Sequence, residues 1–163
     1  MNLFLEVSLS DLYNSTDTHF PEKIVRSTSV EIGDITFNFL PPSTLLIRSD
    51  AHGEGVYPLT ILLNNVKKGR TTIETVTGPV KIAKINPRNG NAQVFCGCTN
   101  FAYTCNRQND AVNSLYDSSR NLRPPYIKTT NRAFLNEGNH PGLCKHLIKL
   151  VQELKNMGVL TKL

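Results

Sequence analysis

The chain has no tryptophan and only two methionines in 163 residues. No apolar run approaches the roughly 20 residues of a membrane-spanning helix, so no such span is expected. The opening MNLFLEVSLS lacks a basic n-region and carries Glu6 inside its short apolar run. It therefore reads as a first strand over residues 3–9 and not as a signal peptide. Synthesis and folding in a reducing cytoplasm are the resulting expectation. Internal repeats are absent, and Gly53-Glu54-Gly55 lacks the rest of either nucleotide-binding motif, which removes the common phosphate-loop enzymes. Carboxylates are scarce in the second half: residues 81–163 hold only Asp110, Asp117, Glu137 and Glu153. That leaves little material for acid–base chemistry.

What is present is the composition of an ordinary globular domain, 39% hydrophobic and 19% charged, with length for one real core, or one core and a small annex. The formal net charge of +5 is uneven: residues 1–80 carry 6 Lys/Arg against 9 Asp/Glu, and residues 81–163 carry 12 against 4. The excess belongs to the half that bears the cysteines, and it is spread without a dense basic run. An anionic partner such as nucleic acid and a solvated or protein-docking face both fit such a spread.

Short β-branched or aromatic stretches bounded by Gly, Pro, Asn or Asp predict strands at 3–9, 27–33, 35–39, 44–49, 56–63, 71–76 and 80–85. Gly33-Asp34 reads as a tight turn and SDAHGEG (49–55) as a wider hairpin loop carrying His52. Pro58 marks its strand as an edge or a bulge. Asn89-Gly90 is a hairpin signal that would pair VKIAKI with AQVFC. NRQNDAVNSLY (106–116) is a short helix or loop. The following stretch, 118–142, is long, basic and rich in Pro, Gly and Asn, and such a loop wants an organiser. The clearest helix comes last: Pro141 suits its first turn, Leu143, Leu147, Ile148, Leu150, Val151 and Leu154 keep helical spacing, and Gly158 ends it. The fold class expected is α+β: a β-rich N-terminal antiparallel sheet, small barrel or sandwich, with a C-terminal loop and helix.

Four cysteines carry the chemistry. Three lie in FCGCTNFAYTC (Cys96, Cys98, Cys105), and Cys144 lies far downstream in PGLCKHLIKL beside His146. In a reducing compartment this spacing favours metal over disulfides. A structural zinc takes four Cys or His ligands as two close pairs, and Cys96-Gly97-Cys98 with Cys144-Lys145-His146 supplies two pairs. Residues i and i+2 of a regular helix point about 200° apart, so both members of the second pair converge only if Cys144 sits at the helix start. The bland alternative makes Cys98, Cys105 and Cys144 small buried hydrophobes and His146 a surface residue. Two disulfides remain open for a chain that matures outside the cell. A Cys–His nucleophilic dyad, Cys144 with His146 or Cys105 with His140, has no supporting local motif. His19 and His52 fall in polar turns.

CGC followed by CKH resembles the SWIM-type zinc-finger pattern, Cys-x-Cys, spacer, Cys-x-His. More closely, QVFCGCTNFAY with RPPYIKTTNRAFLNEGNHPGLCKHLIKLV resembles a family of tailed-bacteriophage proteins with a Cys-x-Cys-x-Asp-Phe segment and a Pro-Gly-Leu-Cys-Lys-His helix. The resemblance covers about residues 90–155. It implies zinc ligation by Cys96, Cys98, Cys144 and His146 and a non-enzymatic structural or assembly role in the virion, at the baseplate, tail, neck or capsid. The protein would be made in the host cytoplasm, with other virion proteins as partners. Thr99-Asn100-Phe101 replaces the family's usual Pro-Asp-Phe, and Cys105 has no counterpart: it is a spare thiol, a core residue or an alternative ligand. The division expected is a β-rich body over 1–90 and a zinc module over 91–163 packed on it, or the two as a single domain. The competing reading is a zinc-dependent nucleic-acid-binding module, with Arg107, Arg120, Arg123, Lys128 and Arg132 as anion contacts and Tyr116, Tyr126 and Phe134 as stacking groups.

Overall fold

The computed structural model describes residues 6–53, 55–116 and 140–162. It is α+β, as expected, but it opens on helices. Ser8 caps helix α1 (Leu9–His19): its hydroxyl accepts from Asp11 N–H at 3.0 Å, while the Asp11 carboxylate accepts from Ser8 N–H at 3.0 Å. This reciprocal cap overrides the strand expected over 3–9, because from Ser8 onward the apolar positions Leu9, Leu12 and Tyr13 follow helical spacing. Residues 3–5 of that expected strand lie outside the described residues. Helix α2 (Pro21–Arg26), with Pro21 in its first turn, and a 3₁₀ turn (Ser27–Ser29) complete the entry. The 3₁₀ turn takes the front of the strand expected over 27–33.

Strands β1 (Glu31–Ile32), β2 (Thr36–Leu40), β3 (Thr44–His52) and β4 (Val56–Leu63) are followed by β5 (Lys68–Thr75), β6 (Gly78–Ile82) and β7 (Ala92–Cys96). Five of them form one antiparallel sheet in which β1 and β2 share one edge of β3, β4 flanks its other side, and β7 pairs with β4. Gly33-Asp34 is therefore a break between two strands on one edge, with Gly33 N–H bonded to Asp50 O, and not a hairpin turn. β3 shows the period of two: Leu45, Ile47, Ser49 and Ala51 are buried while Arg48, Asp50 and His52 face water.

β4 is an interior strand despite Pro58. In an antiparallel strand a residue's nitrogen and carbonyl point the same way. Pro58 O accepts from Gly97 N–H at 3.0 Å, one residue beyond the end of β7 at Cys96, so the proline nitrogen faces a side where the ladder has already stopped. The expected pairing of 80–85 with 92–96 does not form either. β6 pairs with β5 as a separate two-stranded ribbon through a tight turn that ends on Gly78 at φ 118°, and residues 83–91 run on as an irregular connection.

Helix α5 (Lys145–Asn156) closes the chain. Its end is a Schellman motif: Val159 N–H bonds to Leu154 O, Gly158 N–H to Lys155 O, and Gly158 sits at φ 81°. The start lies four residues later than Pro141 predicts, because Cys144 is extended and occupies the N-cap position, without a side-chain capping bond. Leu147, Ile148, Leu150, Val151 and Leu154 pack with Leu9, Leu12, Ile47, Ile61 and Val94 in one continuous core.

Candidate metal centre

Cys96 ends β7, and Cys98 is the N-cap of α3 (Thr99–Thr104). The turn between them lies over Pro58: a Cβ on Gly97 would stand 2.8 Å from Pro58 Cδ, so only glycine lets the two cysteines double back here. The second pair is built differently. Cys144 as N-cap has φ −82° and ψ 170°, and His146 is the second residue of α5. The extended cap frees Cys144 from the helical spiral, which removes the 200° divergence and turns both side chains to the same side.

The four ligand atoms of Cys96, Cys98, Cys144 and His146 lie within 4.8 Å of one another, and all four residues are buried. His146 presents Nδ1, which is 3.8 Å from both Cys96 Sγ and Cys144 Sγ. A tetrahedral zinc with Zn–S about 2.3 Å and Zn–N about 2.05 Å requires sulfur–sulfur separations of about 3.8 Å and sulfur–nitrogen separations of about 3.6 Å. The group is already near that size. No disulfide joins its cysteines.

The electrostatics of the metal-free group are those of thiols sharing too little positive charge. Burial pushes Cys96 and Cys144 well above the ordinary thiol range. Hydrogen bonds from Cys144 and Cys96 hold Cys98 far below it, with Phe101 N–H donating to its Sγ at 3.3 Å. The neighbouring thiols oppose one another's ionisation, and a dication would allow three thiolates together.

A set of polar residues that the sequence did not mark fixes the segment before Cys144. Asn109, fully buried in α4 (Asn106–Ala111), donates from Nδ2 to Gly142 O and accepts at Oδ1 from Gly142 N–H, each at 2.8 Å. Thr16 Oγ1 accepts from Leu143 N–H at 2.8 Å, and Ser15 Oγ donates to Pro141 O at 2.6 Å. Gly142 is sterically required, since a Cβ there would stand 2.6 Å from Thr16 Oγ1. Nothing in the local pattern around Asn109 distinguishes it from the other asparagines of a polar stretch.

Cys105 lies outside the group. It joins α3 to α4, is buried, and has its Sγ 3.5 Å from Lys23 Nζ. Burial raises its pKa, with the Lys23 ammonium opposing. His140 stacks on His19 with ring centroids 3.3 Å apart, and His52 ends β3 in solvent. Arg107 falls in α4 with its side chain outside the described residues, and Arg120, Arg123, Lys128, Arg132, Tyr126 and Phe134 all lie outside them. Tyr116 is described, with its hydroxyl accepting from Arg48 at 3.3 Å. No helix is long and apolar enough to cross a membrane among the described residues. No protein-family model, curated protein or solved structure matches the chain.

Proposed function

We propose that Cys96, Cys98, Cys144 and His146 hold one zinc ion in a closed structural site, and that the chain is a non-enzymatic assembly protein. The observation that carries the metal reading is the convergence of four buried ligand atoms, from two chain segments, to within 4.8 Å of one another. The closed donor set supports a structural role: a catalytic zinc keeps one coordination position for water or substrate, and here four side chains fill the tetrahedron with none more than 4% exposed. Three soft thiolates and one imidazole favour zinc over magnesium or calcium.

The assignment to a tailed-phage virion, as a baseplate, tail, neck or capsid-associated component made in the host cytoplasm, is supported by the CGC…PGLCKH resemblance. Other virion proteins would be its partners. Elemental analysis of protein purified under reducing conditions should give one equivalent of zinc, and chelation should expose residues 96–105 and 141–156 to protease. Metal-free protein with an undiminished melting temperature would refute the structural site. Absence of the chain from purified particles would refute the virion role.

A further inference from the structure

Residues 64–91 hold six Lys/Arg and one acidic residue, Glu74, and this difference of +5 equals the formal charge of the whole chain. The fold concentrates it. Lys67, Lys68, Arg70, Lys81, Lys84 and Arg88 are all exposed, and they belong to the base of the β5–β6 ribbon and the connection that follows it. Ala83 N–H bonds to Lys67 O at 2.8 Å, Lys68 pairs with Ile82, and Thr72 with Lys81, so Lys67 and Lys68 on one side lie opposite the immediate neighbours of Lys81 and Lys84 on the other. Gly69 permits the approach: a Cβ there would stand 2.3 Å from Ala83 N and Cα. Ile73 and Ile82 turn to the core, which fixes the opposite face of the ribbon toward water. Glu74 lies toward the far, turn end, paired with Pro79.

Beside the base is a cleft lined by Asn64, Lys67, Lys84 and Asn86 among others. The Asn64 Oδ1 already accepts from Asn91 N–H at 2.9 Å, and the Asn86 Oδ1 from Arg88 N–H at 3.0 Å. With these oxygens bonded to backbone N–H groups, the Nδ2 atoms of Asn64 and Asn86 are donors in a cleft that Lys67 and Lys84 also line. A cleft offering donors and positive charge recognises anionic oxygens, as Lys and Asn do on phosphates.

We propose that this face binds the phosphate backbone of duplex nucleic acid, independently of the metal centre and of sequence. Residues 64–91 contain no Phe, Tyr or Trp, so the face lacks the stacking groups by which single strands are held. Lys68 pairs with Ile82, the neighbour of Lys81, and Arg70 lies between Lys68 and Thr72, the partner of Lys81, so these cations cluster at the base of the ribbon.

The test is fluorescence anisotropy of a labelled 30-base-pair DNA duplex with the full-length, metal-loaded chain. Five phosphate contacts should weaken binding roughly 500-fold between 50 and 200 mM salt. The triple variant Lys68→Glu, Arg70→Glu, Lys81→Glu should lose more than tenfold in affinity at 50 mM salt and flatten the salt slope by about three. A control, Arg26→Glu, Lys155→Glu, Lys162→Glu, makes the same charge change at other exposed positions and should lose less than threefold. Melting temperature and zinc content should match the wild type in both variants. No binding at 50 mM salt, or equal losses in the two triples, overturns the proposal. A poly-glutamate peptide of matched charge binding as tightly as the duplex overturns it in favour of an acidic protein partner.

Discussion

Around Cys144 nearly every group is withdrawn from water and its polar atoms are spoken for, whereas along β5–β6 every second residue faces solvent. The first region gathers its residues by side-chain bonds between segments far apart in sequence: Asn109 to Gly142, Thr16 to Leu143, Ser15 to Pro141. The second gathers its cations by backbone pairing alone. The contrast separates two kinds of site. A buried centre must be built by the fold around it, since a thiol or amide left unpaired in the core costs stability. A charged face needs only a scaffold that places like charges near one another while water screens their repulsion. Stability should therefore be concentrated in the metal corner and ligand affinity for anions in the ribbon, and variants in each can break that division.

The largest effect is expected at the corner. Cys144→Ser removes one ligand of the proposed zinc site, whose metal would contribute on the order of 10 kcal/mol, comparable to the whole stability of a domain this size. Zinc content should fall from one equivalent to near zero, and the melting transition should drop or vanish. If the variant retains the wild-type transition, the corner is not the region that holds the fold together.

Next comes Asn109→Ala. Two buried hydrogen bonds to Gly142 are lost and both backbone groups are left without a partner, at a cost of about 2–4 kcal/mol. Because the clamp sets where Cys144 begins α5, zinc affinity should also fall, about 10- to 100-fold by competition with a chromophoric chelator. A stability loss with unchanged zinc affinity would show that the clamp serves packing alone. In the ribbon the corresponding probe is Gly69→Ala, whose methyl would press on the Ala83 backbone. A cost of about 1–3 kcal/mol is expected by denaturant unfolding, with zinc affinity unchanged.

How much of this was legible follows the same line. Cys-x-Cys and Cys-x-His are local patterns, and the helical spacing of Leu147 to Leu154 is local too, so the sequence exposes both ligand pairs and the helix that carries one of them. The strands from 44 to 63 are likewise legible because each alternates or runs apolar between turn residues. What sequence did not disclose is pairing. VKIAKI and AQVFC look like a hairpin across Asn89-Gly90, but the segment 68–75 reaches β6 through the closer turn at Gly78. Dividing the charge at residue 80 cut through the ribbon, placing Lys67, Lys68 and Arg70 in a half that reads as acidic. The capping box at Ser8 and Asp11 was present in the letters and was outweighed by the apolar run before it.

The smallest effect is one that only the corner can show. The ribbon, residues 68–82, has no Cys, His or Tyr, so it contributes no titration between the thiol and lysine ranges. Were Cys96, Cys98 and Cys144 to bind zinc as proposed, Cys105 would be the remaining thiol. Burial holds its pKa above the ordinary value, so the folded chain keeps a proton that the unfolded chain releases. Its contribution is complete below about pH 8.5 and is lost as pH rises beyond that, by at most about 1.4 kcal/mol per pH unit. Denaturant unfolding of the zinc-loaded protein between pH 8 and 9.5 should show this decline. Cys105→Ala should remove it, leaving a lower but flatter stability. An equal slope in the variant would mean that Cys105 has the same pKa folded and unfolded, with Lys23, 3.5 Å away, fully offsetting the effect of burial.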